Sequence, residues 1–195
     1  MSGELWVEKY RPSSVSELIL PIKIKKHLKA IVAQGECPNL LLYSQSPGTG
    51  KTSTAKAIVA DLNADYLYIN VSSERSIDTL RTKIASFAPV KAMNDVTKVV
   101  IMDEFDGATP ALQDALRAAI EEYHDYCRFI LTCNSIHKIK DPIISRCQAI
   151  EYDMTNSSIK SELLPKMVKR LCAILEAEGI EYKEESVFNR SEEHT

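Results

Sequence analysis

Ser44-Gln45-Ser46-Pro47-Gly48-Thr49-Gly50-Lys51-Thr52-Ser53 decides how this chain is read. An apolar run, Asn39-Leu40-Leu41-Leu42-Tyr43, enters it as a strand, and Ser53 to Ala60 leaves it with the composition of a helix. Strand, glycine turn and helix in that order make a cradle for a phosphate. Gly48 and Gly50 let the backbone turn where a Cβ would clash, so successive N–H groups can face one anion. A helix beginning near Lys51 adds the positive end of its dipole. Lys51 is then placed for β- and γ-phosphates, and the Thr52 hydroxyl for Mg²⁺. Gln45 departs from the pattern G-x-x-x-x-G-K-[ST], which has glycine at its position. The plain alternative is a glycine-bearing turn that caps an ordinary helix.

Working outward, the same alternation repeats. Before the loop, Lys23 to Gln34 has helical spacing, with Ile24, Leu28, Ile31 and Val32 on one face and lysines on the other. After it, Tyr66 to Asn70 reads as a strand and Ile77 to Phe87 as an amphipathic helix. Lys98 to Asp103 reads as a buried strand ending in a carboxylate, and Pro110 to Glu122 as a helix with proline in its first turn. Arg128 to Asn134 is a further strand, Lys138 to Ser145 a short helical or turn segment, and Gln148 to Tyr152 a final short strand. Ser157 to Glu178 is a long amphipathic helix stopped by Gly179. This pattern predicts an α/β fold, a mostly parallel five-stranded sheet with helices on both faces. Ligands of such sheets sit at the carboxyl ends of the strands. The loop at 44–53, Asp103-Glu104 and Asn134 all fall at that end.

Those strand ends carry chemistry. Hydrolysis of a nucleotide needs a carboxylate beside Mg²⁺ and a group that deprotonates the attacking water. Asp103 suits the first role, through a metal-bound water, and Glu104 the second. An acidic strand end facing solvent is the alternative. Asn134 could hold the water or sense the γ-phosphate; taken alone it is a turn residue. Arg146, in Ser145-Arg146-Cys147, lies away from the phosphate position expected in its own chain. In a ring it could reach the next subunit's ATP.

The bulk properties narrow the classes. A chain of 195 residues holds one domain, or one and part of another. Its net charge of −3 excludes a globally basic nucleic-acid binder. No apolar run approaches the roughly 18 residues that span a bilayer, and the N-terminus lacks a signal pattern. The five scattered cysteines form no C-x-x-C pair and point to a reducing cytoplasm, not to disulfides or zinc.

Trp6-Val7-Glu8-Lys9-Tyr10-Arg11-Pro12, Pro47 to Thr52, Asn70 to Asp78, Asp103-Glu104-Phe105-Asp106, Gln113 to Arg117 with Glu121, and Ser145-Arg146-Cys147 resemble the AAA+ sliding-clamp loaders. The likeness covers about residues 5–180. It takes in replication factor C small subunits and, through Glu17 to Pro21 and Phe105, leans toward the version of T-even-type phages.

The resemblance implies a P-loop ATPase fold. It implies ATP and Mg²⁺ as cofactors, with Gly48, Thr49, Gly50, Lys51, Thr52 and Ser53 on the phosphates. Val7, Glu8, Lys9, Tyr10 and Ile19 would line the adenine and ribose side, and Arg146 would serve the neighbour's site. Partners would be further copies of the chain and a small loader subunit in a pentameric ring, a sliding clamp and primer–template DNA. No membrane partner is implied, and the compartment would be the cytoplasm. Arg75, Arg81 and Lys83 are candidate DNA contacts; a solvated basic face is the alternative. Arg117 would couple DNA contact to Glu104. Another AAA+ replication motor, such as a helicase loader, is the competing function. A non-hydrolysing structural subunit would lose Lys51 or Glu104, and both stand intact.

The expected divisions are an ATPase core with its arm at 1–152, the start of a helical lid at 153–189, and a non-native tail at 190–195. The second sensor arginine and collar helices of the resembled family would lie beyond the lid's start.

Overall fold

Residues 5–74, 76–89, 97–154, 156–183 and 187 are described by the computed structural model. The expected tail at 190–195 and Arg75 lie outside the described residues.

Five short apolar runs become five parallel strands: β1 (Leu40–Tyr43), β2 (Asp65–Asn70), β3 (Lys98–Asp103), β4 (Cys127–Cys133) and β5 (Gln148–Glu151). Their order in the sheet is β2-β3-β4-β1-β5. All four pairings are parallel, with Asn70 opposite Asp103 and Leu42 opposite both Thr132 and Ile150. α2 (Ile22–Ala33) precedes β1, and the crossovers that parallel neighbours need are supplied by α3 (Lys51–Asp61), α4 (Ile77–Phe87), α5 (Pro110–Glu122) and α6 (Asp141–Ile144). A single turn, α1 (Trp6–Lys9), forms the arm, and α7 (Ser157–Ala177) follows the sheet.

Strand alternation divides the core in two. Leu41, Val100, Met102, Phe129 and Leu131 face α4, α5 and α6, where they meet Leu80, Ile84, Leu112, Leu116 and Ile143. Leu40, Leu42, Val99, Ile101 and Ile130 face α2 and α3, where they meet Leu28, Ile31 and Ile58. Both faces are therefore covered, as continuous apolar strands require. Phe129 lies fully buried in β4, the middle strand. Phe129→Ala is expected to lose about 3–5 kcal/mol in urea unfolding, and a loss under about 1 kcal/mol would contradict this packing.

Element limits follow caps. Thr109 accepts the Leu112 N–H at 3.2 Å ahead of α5, and Ser76 accepts that of Thr79 at 3.3 Å ahead of α4. Gly179, at φ 67°, ends α7 in the left-handed region. β4 closes at Cys133, so Asn134 follows the strand instead of ending it. Around the segment expected as helix or turn, a 3-10 turn at Ile136–Lys138 is followed by α6. All five cysteines are free. No helix among the described residues is long and apolar enough to cross a membrane.

Candidate nucleotide site

β1 delivers the chain to the loop at the carboxyl edge of the sheet. The buried Ser44 hydroxyl donates to the Tyr152 carbonyl at 2.8 Å and accepts the Ser46 N–H at 3.2 Å, which starts the turn. Gly48 and Gly50 stand at φ 74° and 88°. An added Cβ would have room at both, so the backbone angle itself is what asks for glycine. Gln45 is outside the left-handed region, where Asn63 and Glu104 are the non-glycine residues among those described. The loop thus makes no conformational demand for glycine at 45, and the departure from the pattern has its reason.

α3 opens at Lys51 with Gly50 as its N-cap, so its free N–H groups face the loop. Lys51 is buried, and its Nζ folds back to the Ser46 carbonyl at 3.2 Å and Thr49 Oγ1 at 3.3 Å. Burial pulls its pKa below the ordinary lysine value, against the opposing pull of Cys133, Asp106 and Asp103. A phosphate in the cleft would add the missing counter-charge.

The cleft above the loop, about 270 Å³, is lined by residues 47–53 together with Asp103, Glu104, Thr132, Cys133 and Asn134. Three sequence-distant segments expected at one site do meet there. Asp103 is buried and accepts three hydroxyls. Thr52 donates to it at 2.8 Å, Thr132 at 2.5 Å and Tyr68 at 2.8 Å. Burial, then the hydrogen bond to Asp103, push the Tyr68 phenol up to about 12, which keeps it a donor.

Glu104 is exposed at the cleft with φ 55° and ψ 43°. A left-handed glutamate costs roughly 1–2 kcal/mol. Thr132 Oγ1 compensates by accepting its N–H at 3.1 Å, and the Gly107 N–H bonds its carbonyl at 3.0 Å. The turn carries Glu104 off the strand, away from the buried setting of Asp103. Asn134 is exposed on the cleft, its N–H 3.4 Å from Asp106 Oδ1.

A second cleft of about 600 Å³ adjoins the loop. Tyr10, Pro12, Ile19 and Leu20 line one wall. The other wall is a stripe of α7, with Lys160, Leu163, Met167, Arg170 and Ile174 at helical spacing. Of the four arm residues expected on the adenine side, Tyr10 lines this cleft, and Val7, Glu8 and Lys9 do not. In a single helical turn Trp6 and Tyr10 share a face, ring centroids 6.5 Å apart, and the residues between them turn outward. Val7 is 74% exposed, Glu8 pairs with Arg11, and Lys9 meets Glu178 at 2.6 Å. Tyr10 OH also donates to Glu178, and Arg170 to the Tyr10 carbonyl at 3.2 Å, so arm and α7 are tied together.

Arg146 lines neither cleft. It donates to the Pro142 carbonyl at 2.6 Å and pairs with Glu121 of α5, which also holds Arg117 at 3.3 Å. On α4, Arg81 is exposed and Lys83 pairs with Glu74. Sequence reasoning missed Thr132, Tyr68, Lys160 and Arg170. Thr132 left one signal, a hydroxyl directly after the apolar run Phe129-Ile130-Leu131.

The hard oxygens of Thr52 and Asp103, 2.8 Å apart, suit Mg²⁺. Among the described residues no group of three or more His, Cys, Asp or Glu could hold a metal by itself. An ion at Thr52 and Asp103 would therefore complete its shell with phosphate oxygens and water.

Known proteins resemble this chain. The sliding-clamp-loader large subunit of Enterobacteria phage T4 is 40% identical over 174 residues, which are 89% of this chain and 54% of that protein. The replication factor C small subunit of Methanococcus vannielii is 42% identical over 181 residues, 90% of this chain and 55% of that protein. The chain spans about half the length of these curated relatives. Among solved structures, the Thermotoga maritima RuvB Holliday junction branch migration motor superposes with a TM-score of 0.68 at 22% identity. It covers 91% of this chain, which spans 58% of it, and shows the shared fold. Residues 40–153, from β1 through β5, match the ATPase family associated with various cellular activities (AAA), and the chain belongs to that family.

Proposed function

We propose that this chain is the ATPase part of a sliding-clamp loader. The observation that carries the ATPase reading is the meeting of Lys51, Thr52, Asp103 and Glu104 at one cleft. The clamp-loading reading is supported by relatives at about 40% identity whose names are sliding-clamp-loader large subunit and replication factor C small subunit.

ATP would place its phosphates on the 48–53 backbone and Lys51, and its base between Tyr10, Ile19 and the α7 stripe. Mg²⁺ at Thr52 and Asp103 would neutralise charge on the β- and γ-phosphates. Glu104 would take the proton of the attacking water, which its exposed position on the cleft permits. Asn134 would orient that water or sense the γ-phosphate. Arg146 would stabilise the charge on a neighbouring subunit's ATP. Residues 1–152 would form the ATPase core and 153–189 the start of its lid.

The assembly would be a pentameric ring of further copies and a small loader subunit, in the cytoplasm. ATP binding would open the clamp and load it on primer–template DNA, and hydrolysis would release it. Arg75, Arg81 and Lys83 are the candidate contacts to DNA phosphates.

Steady-state ATPase of the ring tests the reading. Primer–template DNA and the clamp together should stimulate turnover beyond either alone. A competent ring whose turnover ignores both would refute it.

A further inference from the structure

Asp103 sits on the strand between β2 and β4, and each neighbour sends it one hydroxyl. Thr132 of β4 donates to Oδ1 at 2.5 Å, and Tyr68 of β2 to Oδ2 at 2.8 Å. Thr52 reaches both oxygens, at 2.8 and 3.1 Å, from the start of α3. The register explains the convergence. Tyr68 lies opposite Ile101, which faces α3, and Asp103 follows two residues later on the same face. One turn after Thr52, Lys56 sets its Nζ 4.9 Å from the Tyr68 ring centroid. Tyr68 is thus gripped at its ring by α3 and at its hydroxyl by Asp103.

The last torsion of an aspartate is broad and holds its plane loosely. A carboxylate offers about four acceptor positions. With one oxygen held from each flanking strand, the plane of Asp103 is restrained on both sides. We propose that Tyr68 is a positioning residue for the metal-side carboxylate. Its phenol O–H locks Oδ2 as Thr132 locks Oδ1, so Asp103 meets the water shell of a divalent ion in one orientation. The inference rests on reading this cleft as the Mg²⁺–nucleotide site.

Tyr68→Phe removes the donor and keeps the ring under Lys56. Tyr66→Phe, two residues earlier on the same face of β2 and 47% exposed, is the control. The measurement is binding of a fluorescent ATP analogue, first in EDTA and then against a Mg²⁺ titration. Tyr68→Phe should raise the half-saturating Mg²⁺ concentration by about tenfold, the scale of losses around metal ligands. Its binding in EDTA and its thermal midpoint should match the wild type. A purely structural tyrosine would move the midpoint and leave the Mg²⁺ dependence alone. If Tyr68→Phe shifts the Mg²⁺ midpoint no further than Tyr66→Phe, the positioning role is overturned while the site reading stands. If the wild type itself binds the analogue without any response to Mg²⁺, the site reading falls, and this inference with it.

Discussion

Arg146→Ala is expected to slow ATP hydrolysis in the proposed ring by about 10³–10⁵-fold, the range for an arginine supplied in trans. Nucleotide binding stays near the wild-type value, because Arg146 touches neither cleft of its own chain. The residue rests on Glu121 and the Pro142 carbonyl, with its side chain about a third exposed. Exposed ion pairs of this kind contribute little, about 0–1 kcal/mol, so the arginine is free to leave Glu121 for a phosphate. Single-turnover hydrolysis in rings, with analogue binding measured alongside, checks this. An equal fall in the isolated chain would show that Arg146 acts within its own site and would sink the proposed finger.

Glu104→Gln is expected to keep ATP binding and lose turnover by about 10²–10⁴-fold, the usual contribution of the general base proposed here. The amide has the same shape and keeps the backbone bonds to Thr132 Oγ1 and Gly107. Its left-handed backbone angle is unchanged, so stability should hold within about 0.5 kcal/mol, as for surface substitutions elsewhere. Pre-steady-state hydrolysis with saturating nucleotide separates the two effects. Normal hydrolysis by this variant would remove Glu104 from the mechanism and leave Asp106 or a water chain to be tried.

Local rules carry far in this chain because they act over a few residues. The apolar runs at 40–43 and 98–103 admit few forms other than buried strands, and Thr109-Pro110 starts α5 where cap and proline rules place it. Lys51, Thr52, Asp103 and Glu104 were legible for the same reason. Each sits at a strand or loop end whose chemistry is written in adjacent residues. Gln45 was legible only as a departure, since its backbone angle is not a sequence property.

What the sequence by itself determined is therefore the alternation of elements, the phosphate loop and the acids at the carboxyl edge. The tertiary structure decided their neighbours. Tyr68 and Thr132 reach Asp103 across 35 and 29 residues of chain, and only the order β2-β3-β4 puts them beside it. The face of the arm that meets the cleft depends on one helical turn docking against α7, where Glu178 takes Lys9 and Tyr10 across 169 and 168 residues. Arg146 is parked on Glu121 by the packing of α6 against α5. Hydrogen bonds are short-ranged and directional, so a hydroxyl or guanidinium declares its role only once the fold has chosen what stands within about 3 Å of it.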